Sequence, residues 1–177
     1  MEAVIFIGIQ GSGKSTFYRE RFFDTHVRIN LDMLRTRRRE QILFDACLAA
    51  QQSVVIDNTN PTKTDRARYI AAARNAGFRI IAYFFKSTVR DAIQRNNQRK
   101  LKAKIPPAAI AGTLKKLEPP SGDEGFDEIF TVEVAPQGGF TVTPAGQRAL
   151  SEERQSLVLF LGRFGCRGLS GCKTYSP

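Results

Sequence analysis

Gly8-Ile9-Gln10-Gly11-Ser12-Gly13-Lys14-Ser15 is the stretch on which the reading of this chain turns. It fits G-x-x-x-x-G-K-[ST], the P-loop pattern. Its glycines let the backbone curl so that successive N–H groups point inward, and such a cradle takes phosphate oxygens. Gly11, Ser12, Gly13, Lys14, Ser15 and Thr16 are therefore candidate nucleotide ligands. Lys14 is expected to reach the β- and γ-phosphates, and the Ser15 hydroxyl to hold Mg²⁺. From average composition, a chance match somewhere in a chain this long has odds of roughly one in 150. The flanks count further against a mere glycine-rich turn. Ala3-Val4-Ile5-Phe6-Ile7 reads as a buried strand, and Ser15 to Phe23 can continue as a helix whose N-terminus faces the anion.

Beyond this unit, strand-like and helix-like runs alternate. Val27 to Asn30 is a short strand, and a long helix is expected from about Asp32 to Gln52, with Leu34, Ile42, Leu43, Ala46, Cys47 and Ala50 along one side. Ser53 to Asp57 is a strand ending in an acid. Asn60-Pro61-Thr62 opens a helix that ends near Gly77, and Thr62 to Asp65 has the spacing of a capping box. Arg79 to Phe85 reads as strand, Thr88 to about Arg99 as helix, Lys100 to Pro107 as a basic loop and Ala108 to Leu117 as helix. Glu128 to Val134 alternates as a strand, and Gly138-Gly139 followed by Phe140-Thr141-Val142 signals a hairpin partner. The βα order predicts an α/β P-loop NTPase fold, a parallel sheet with helices on both faces and right-handed crossovers. Ligands then lie at the carboxyl ends of the strands, where the P-loop, Asp32 and Asp57 all fall. Two segments are expected: a domain over 1–144, and a flexible tail over 145–177, in which Ser151–Leu161 can form one docked helix and glycines follow at 162, 165, 168 and 171.

Composition narrows the partner class. Of 177 residues, 42% are hydrophobic and 25% charged, as in ordinary globular chains. The balance of 27 basic against 17 acidic residues, a net +10, points to a polyanionic partner such as nucleic acid. The bias is local: residues 86–116 carry nine Lys or Arg and one Asp, whereas 118–133 carry six acids and no base. Cys47, Cys166 and Cys172 form no C-x-x-C pair, and the single histidine, His26, has no ligand partner in sequence, which excludes a zinc motif. No apolar run approaches membrane-spanning length, and the chain enters its first strand without a signal-like segment. A cytoplasmic, thiol-reduced setting is the expectation.

The chemistry follows from what stands around the P-loop. D-x-x-G and N-K-x-D are both absent, which argues against the usual GTPases. Motor-type and AAA-type ATPases typically end a strand in Asp-Glu, with the Glu orienting water; the strand here ends Asp57-Asn58 without that Glu, so a kinase fits better. A kinase must accept the proton of the attacking hydroxyl. Asp32 is the candidate base, although an Asp there also suits a helix cap. Arg35, three residues on, can hold a phosphate beside that hydroxyl. Arg95 and Arg99 are spaced i, i+4, so their guanidinium groups can close over phosphates together.

At this point the chain resembles the polynucleotide 5′-kinases, both the phage enzyme and the kinase half of the eukaryotic kinase/3′-phosphatase repair enzymes. Asn30-Leu31-Asp32 stands where they have the motif ending in the catalytic Asp, and Arg35 matches the acceptor-phosphate Arg of the phage enzyme. Val55-Ile56-Asp57-Asn58-Thr59-Asn60-Pro61 and Arg66-Ala67-Arg68-Tyr69 are similar to the eukaryotic segment. Gln94-Arg95-Asn96-Asn97-Gln98-Arg99 with Lys104-Ile105-Pro106 resembles the lid. The resemblance implies an ATP- and Mg²⁺-dependent kinase acting on 5′-hydroxyl ends of DNA or RNA. Lys14, Asp32 and Arg99 would be catalytic, Arg95 and Arg99 would contact ATP, Asp32, Arg35 and Asn60 would meet the acceptor, and Ser15 and Asp57 would serve the metal. Leu31 stands where the family usually has Arg, and no D-x-D-x-T phosphatase motif occurs in the sequence. Two other readings remain: a P-loop kinase for a nucleoside or other small molecule, and an ATP-binding nucleic-acid adaptor without catalysis.

Overall fold

The computed structural model describes residues 1–98, 104–135 and 137–145. Arg99, the lid residues 100–103 and the tail with its proposed helix at 151–161 lie outside the described residues. Residues Met1–Ala145 form one compact unit. Six strands make one sheet: β1 (Glu2–Ile7), β2 (Val27–Ile29), β3 (Val54–Ile56), β4 (Arg79–Phe85), β5 (Glu128–Val134) and β6 (Phe140–Pro144). Their order is β2-β3-β1-β4-β5-β6; all neighbours pair parallel except the β5–β6 hairpin. The α/β sheet read from the sequence is thus found, with one antiparallel edge strand.

β1 is central and buried on both faces, as its unbroken apolar run implies. Ala3, Ile5 and Ile7 pack in a layer with α3 (Arg37–Ala49) and α4 (Lys63–Asn75), through Phe44, Cys47, Leu48, Tyr69, Ile70 and Ala73. Val4 and Phe6 face α1 (Lys14–Arg21) with Phe17, Tyr18 and Phe22. The rings there meet edge to face, Phe6–Phe85 at 5.1 Å and Phe17–Phe85 at 5.4 Å between centroids. Burying each such side chain stabilises by about 1.5–3 kcal/mol. The cluster therefore fixes the direction in which α1 points its N-terminus. A third, smaller cluster, Ile9, Ala92 and Ile110, joins the P-loop to α5 (Val89–Asn97) and α6 (Pro107–Lys116).

The expected helix from Asp32 to Gln52 is a correction. It is two helices, α2 (Leu31–Leu34) and α3, broken at Arg35, whose φ is 70°. Thr36 then restarts the chain as the cap of α3, its hydroxyl accepting from Arg39 N. The restart turns the helix so that Glu40, Phe44, Cys47 and Leu48 face inward, while Ile42 is 59% exposed and Ala46 and Ala50 lie outside. Cys47 is core, as expected. α4 follows its reading closely: Thr62 Oγ1 accepts from Asp65 N and Asp65 Oδ2 from Thr62 N. Among the described residues no helix is long and apolar enough to cross a membrane.

Candidate nucleotide and acceptor site

The carboxyl ends of β1, β2 and β3 surround a cavity of about 420 Å³. Its floor is the P-loop, Gln10 to Thr16, and its walls are Asn30 to Asp32, Arg37, Asp57 to Pro61, Asp65 and Ile105. Gly11 and Gly13 have φ of 76° and 99°. A Cβ on Gly11 would stand 2.6 Å from Ala92 O, so the loop tolerates only glycine where α5 crosses it. Gly13 caps α1, its carbonyl accepting from Thr16 N and Phe17 N at 3.0 Å. Lys14 curls back over the loop: Nζ donates to Gly8 O at 2.8 Å, Ile9 O at 2.6 Å and Ser12 Oγ at 3.3 Å. Gln10 Oε1 is buried without a hydrogen-bond partner, an acceptor open to a donor from a bound molecule.

The loop after β3 is stitched to the end of β1. Thr59 O accepts from Gly8 N at 3.0 Å, and Asn60 Nδ2 donates to Phe6 O at 2.8 Å. Asn60 holds φ 43° and is 4% exposed. It lines the cavity, but its amide is committed to the backbone of β1, so its position supports the P-loop. Arg66, fully buried, braces the same loop through Asn60 O and Pro61 O and pairs with Glu124 through Nε and Nη2 at 2.6 and 2.8 Å.

Asp57 and Ser15 meet directly: Ser15 Oγ donates to Asp57 Oδ2 at 3.0 Å. Arg28, on β2, lies against both. Among the described residues there is no cluster of three His, Cys, Asp or Glu side chains. Two adjacent hard oxygens, already facing a positive group, nonetheless fit Mg²⁺, which takes few protein ligands and completes its shell with phosphate oxygens and water.

Asp32 lines the cavity, exposed in the first turn of α2. It is not the cap of that helix. Asn30 is, accepting from Met33 N at 3.1 Å, and its amide also donates to Asp57 O. The Asp32 carboxylate has no hydrogen bond or ion pair among the described residues. Arg35 is exposed at the break and does not line the cavity; Arg37 does. Arg37 Nη1 donates to Glu40 Oε2 at 2.8 Å and to Tyr69 Oη at 3.2 Å. Glu40 is buried and also accepts from Arg68, Tyr69 and Asn58. Burial alone would raise its pKa, but the hydrogen bonds from Arg37, Tyr69 and Asn58 outweigh it and hold the carboxyl below the usual range. Asn58 Oδ1 in turn accepts from Leu31 N at 2.8 Å, so the network reaches the helix that carries Asp32.

On the lid side, Arg95 Nε donates to Gly11 O at 2.7 Å, and Nη2 donates to Ser87 Oγ. Arg95 is thus anchored on the P-loop backbone. Its expected companion Arg99 lies outside the described residues. Asn96 fixes the far end of that segment, donating to Ile105 O at 2.8 Å and accepting from Ile105 N at 3.0 Å, which brings Ile105 to the cavity. Sequence reasoning missed Arg28, Arg37, Glu40 and Asn58. Only the Arg37-Arg38-Arg39 run carried a local signal of its own.

The comparisons agree with this architecture. A bifunctional polynucleotide phosphatase/kinase of Schizosaccharomyces pombe is 29% identical over 135 residues, 74% of this chain and 33% of that protein. A provisionally named bifunctional polynucleotide phosphatase/kinase of Acanthamoeba polyphaga mimivirus is 30% identical over 138 residues, again 74% and 33%. The resemblance read from the motifs is therefore found again, and the chain spans about a third of the length of these curated relatives. In fold it is similar to a gluconokinase from Sinorhizobium meliloti 1021, with a TM-score of 0.54 and 17% identity over 91% of this chain and 97% of that one. The model of the AAA domain family matches residues 4–120, more than half of the chain, and the chain belongs to that family.

Proposed function

We propose that the protein is an ATP-dependent kinase that transfers the γ-phosphate to the 5′-hydroxyl end of DNA or RNA, acting in the cytoplasm in nucleic-acid repair. The observation that carries this reading is Asp32: a carboxylate without a partner among the described residues, on the rim of the P-loop cavity, next to an arginine-rich turn. The names of the curated relatives support the acceptor class.

In this reading the P-loop N–H groups and Lys14 hold the β- and γ-phosphates, and Arg95, with Arg99, closes over them. Ser15 and Asp57 would hold Mg²⁺, which would supply charge neutralisation for the phosphates. The acceptor 5′-oxygen attacks the γ-phosphorus as the bond to the β–γ bridging oxygen breaks. The hydroxyl proton passes to Asp32, and ADP leaves. Arg35 and Arg37 hold the phosphate next to that hydroxyl, as planar forks suited to phosphate oxygens. The absence of a D-x-D-x-T motif in this sequence keeps 3′-phosphatase activity out of the proposal.

The test is labelled γ-phosphate transfer from ATP to 5′-hydroxyl DNA, 5′-hydroxyl RNA, nucleosides and water, side by side. Transfer to oligonucleotides well above nucleosides and water supports the reading. Preference for nucleosides moves the small-molecule kinase ahead, and nucleotide binding without any transfer leaves the adaptor.

A further inference from the structure

Arg28 stands in the middle of β2, yet its side chain reaches the cavity floor. Its Nε donates to Asp57 Oδ2 at 2.9 Å. Its Nη2 donates to the same oxygen and, at 2.8 Å, to Ser15 Oγ. Ser15 Oγ donates to Asp57 Oδ2 as well, so one carboxylate oxygen, one hydroxyl and one guanidinium form a closed triangle. Asp57 is buried, 2% exposed, and Arg28 supplies its one ion pair among the described residues. The guanidinium carbon also lies 5.4 Å from the centre of the Tyr18 ring, which is itself held by a hydrogen bond from Tyr18 Oη to His26 O at 2.8 Å.

These two oxygens are the ones to which the proposed function assigns the metal. A guanidinium keeps its charge at any physiological pH and has only donors to offer. Its N–H groups use the lone pairs that a divalent ion would need, and its charge repels that ion at close range. Arg28 and a bare divalent ion therefore compete for one place. An ion that arrives with a polyphosphate competes on better terms, because the phosphate charge offsets the repulsion and offers the guanidinium other acceptors.

We propose that Arg28 is the resident cation of this metal site. It is a positioning residue: it neutralises buried Asp57, holds Asp57 and Ser15 together before the nucleotide binds, and makes the site selective for metal–nucleotide over free metal. The proposal rests on the assignment of Ser15 and Asp57 to the metal and not on the identity of the acceptor.

The experiment measures Mn²⁺ binding to the full chain by the electron paramagnetic resonance signal of free Mn²⁺, with and without ADP, for wild type, Arg28→Gln, Arg28→Lys and Arg28→Gln/Asp57→Asn. Without ADP, Arg28→Gln should bind Mn²⁺ about tenfold tighter than wild type, since a like charge is removed from the site. Arg28→Lys, which keeps the charge and loses the fork, should gain only about threefold. With ADP the spread among the single variants should narrow, and in Arg28→Gln/Asp57→Asn the gain should vanish. A residue that only braced the fold would weaken metal binding when replaced, not strengthen it. Affinity in Arg28→Gln equal to or weaker than wild type overturns the proposal, as does a gain that survives Asp57→Asn. Should Arg28→Gln melt too early to assay, unchanged affinity in Arg28→Lys overturns it equally. Tighter Mn²⁺ binding together with no phosphate transfer to oligonucleotides would refute the acceptor reading and leave this one standing; transfer with unchanged Mn²⁺ affinity would do the reverse.

Discussion

On the proposed nucleotide side of the cavity, four polar groups are buried and already bonded to protein, while Ser15 and Thr16 beside them are exposed. Ser12, Lys14, Asp57 and Asn60 are all at most 8% exposed; Lys14 donates to the loop's own carbonyls and to the Ser12 hydroxyl, and Asp57 and Asn60 reach other segments. On the acceptor side the groups are exposed: Asp32 stands on the short helix α2, Arg35 at the break after it, and Arg38 and Arg39 in the first turn of α3, where Arg37 is tied to buried Glu40. The difference suits the two tasks that the proposed function assigns to these sides. A phosphate cradle gains from being rigid before the ligand arrives, because no reorganisation is then needed as charge develops. A surface that receives the end of a long polyanion must stay open to solvent, and it binds through exposed charge.

The contrast can be broken first at Lys14. Lys14→Ala removes a fixed charge from the cradle and should cost about 3 kcal/mol or more in transition-state stabilisation, read as kcat/KM for every acceptor. Near-normal turnover in the folded variant would remove the P-loop from the chemistry.

Asp32→Asn should cut kcat by about 10²-fold or more, the usual size for a general base, with acceptor KM nearly unchanged. Because Asp32 has no partner among the described residues, the variant's unfolding free energy should move by less than about 0.5 kcal/mol. A large stability loss would mean that the carboxylate is structural after all.

Arg37→Ala and Arg35→Ala sharpen the acceptor side. Each should raise KM for an oligonucleotide by a factor on the order of 10, as expected for a charge-assisted phosphate contact. The defect should shrink for acceptors lacking the adjacent phosphate. Arg37→Ala should be the larger, since Arg37 lines the cavity and Arg35 does not. The reverse order would show that the exposed turn closes onto the acceptor.

The smallest effect expected is in the acid limb of stability. Glu40 has a folded-state pKa below its ordinary value, set by burial against the hydrogen bonds of Arg37, Tyr69 and Asn58. A depressed carboxylate stabilises the fold above its unfolded pKa, about 4.3, and loses that contribution as pH falls through the folded value. Urea melts between neutral pH and pH 3 should therefore show a stability loss that is shallower in Glu40→Gln. Parallel curves would mean that Glu40 does not titrate with unfolding.

Much of this was legible locally. β1 with its loop and α1, the Thr62–Asp65 capping box, and the strand Arg79–Phe85 rest on neighbours within a few residues, and such patterns survive folding unchanged. The helix from Asp32 to Gln52 was misread because its apolar spacing is continuous, while the break depends on one positive φ at Arg35 and a cap at Thr36. With the break comes the rotation that exposes Ile42 and buries Glu40.

By itself, then, the amino-acid sequence determined the phosphate cradle, the alternation of strands and helices, and the segments that carry Asp32, Asp57 and Arg95, because glycine placement, capping and apolar periodicity act over short distances. Only the tertiary structure decided which side chains meet. Arg28 and Asp57 are 29 residues apart, as are Glu40 and Tyr69, and Asn60 finds Phe6 across 54. Those contacts follow from the strand order, which sets β3 beside the P-loop strand and β2 beside β3. Buried polar groups must find partners wherever the fold brings them, and no local pattern records where that is.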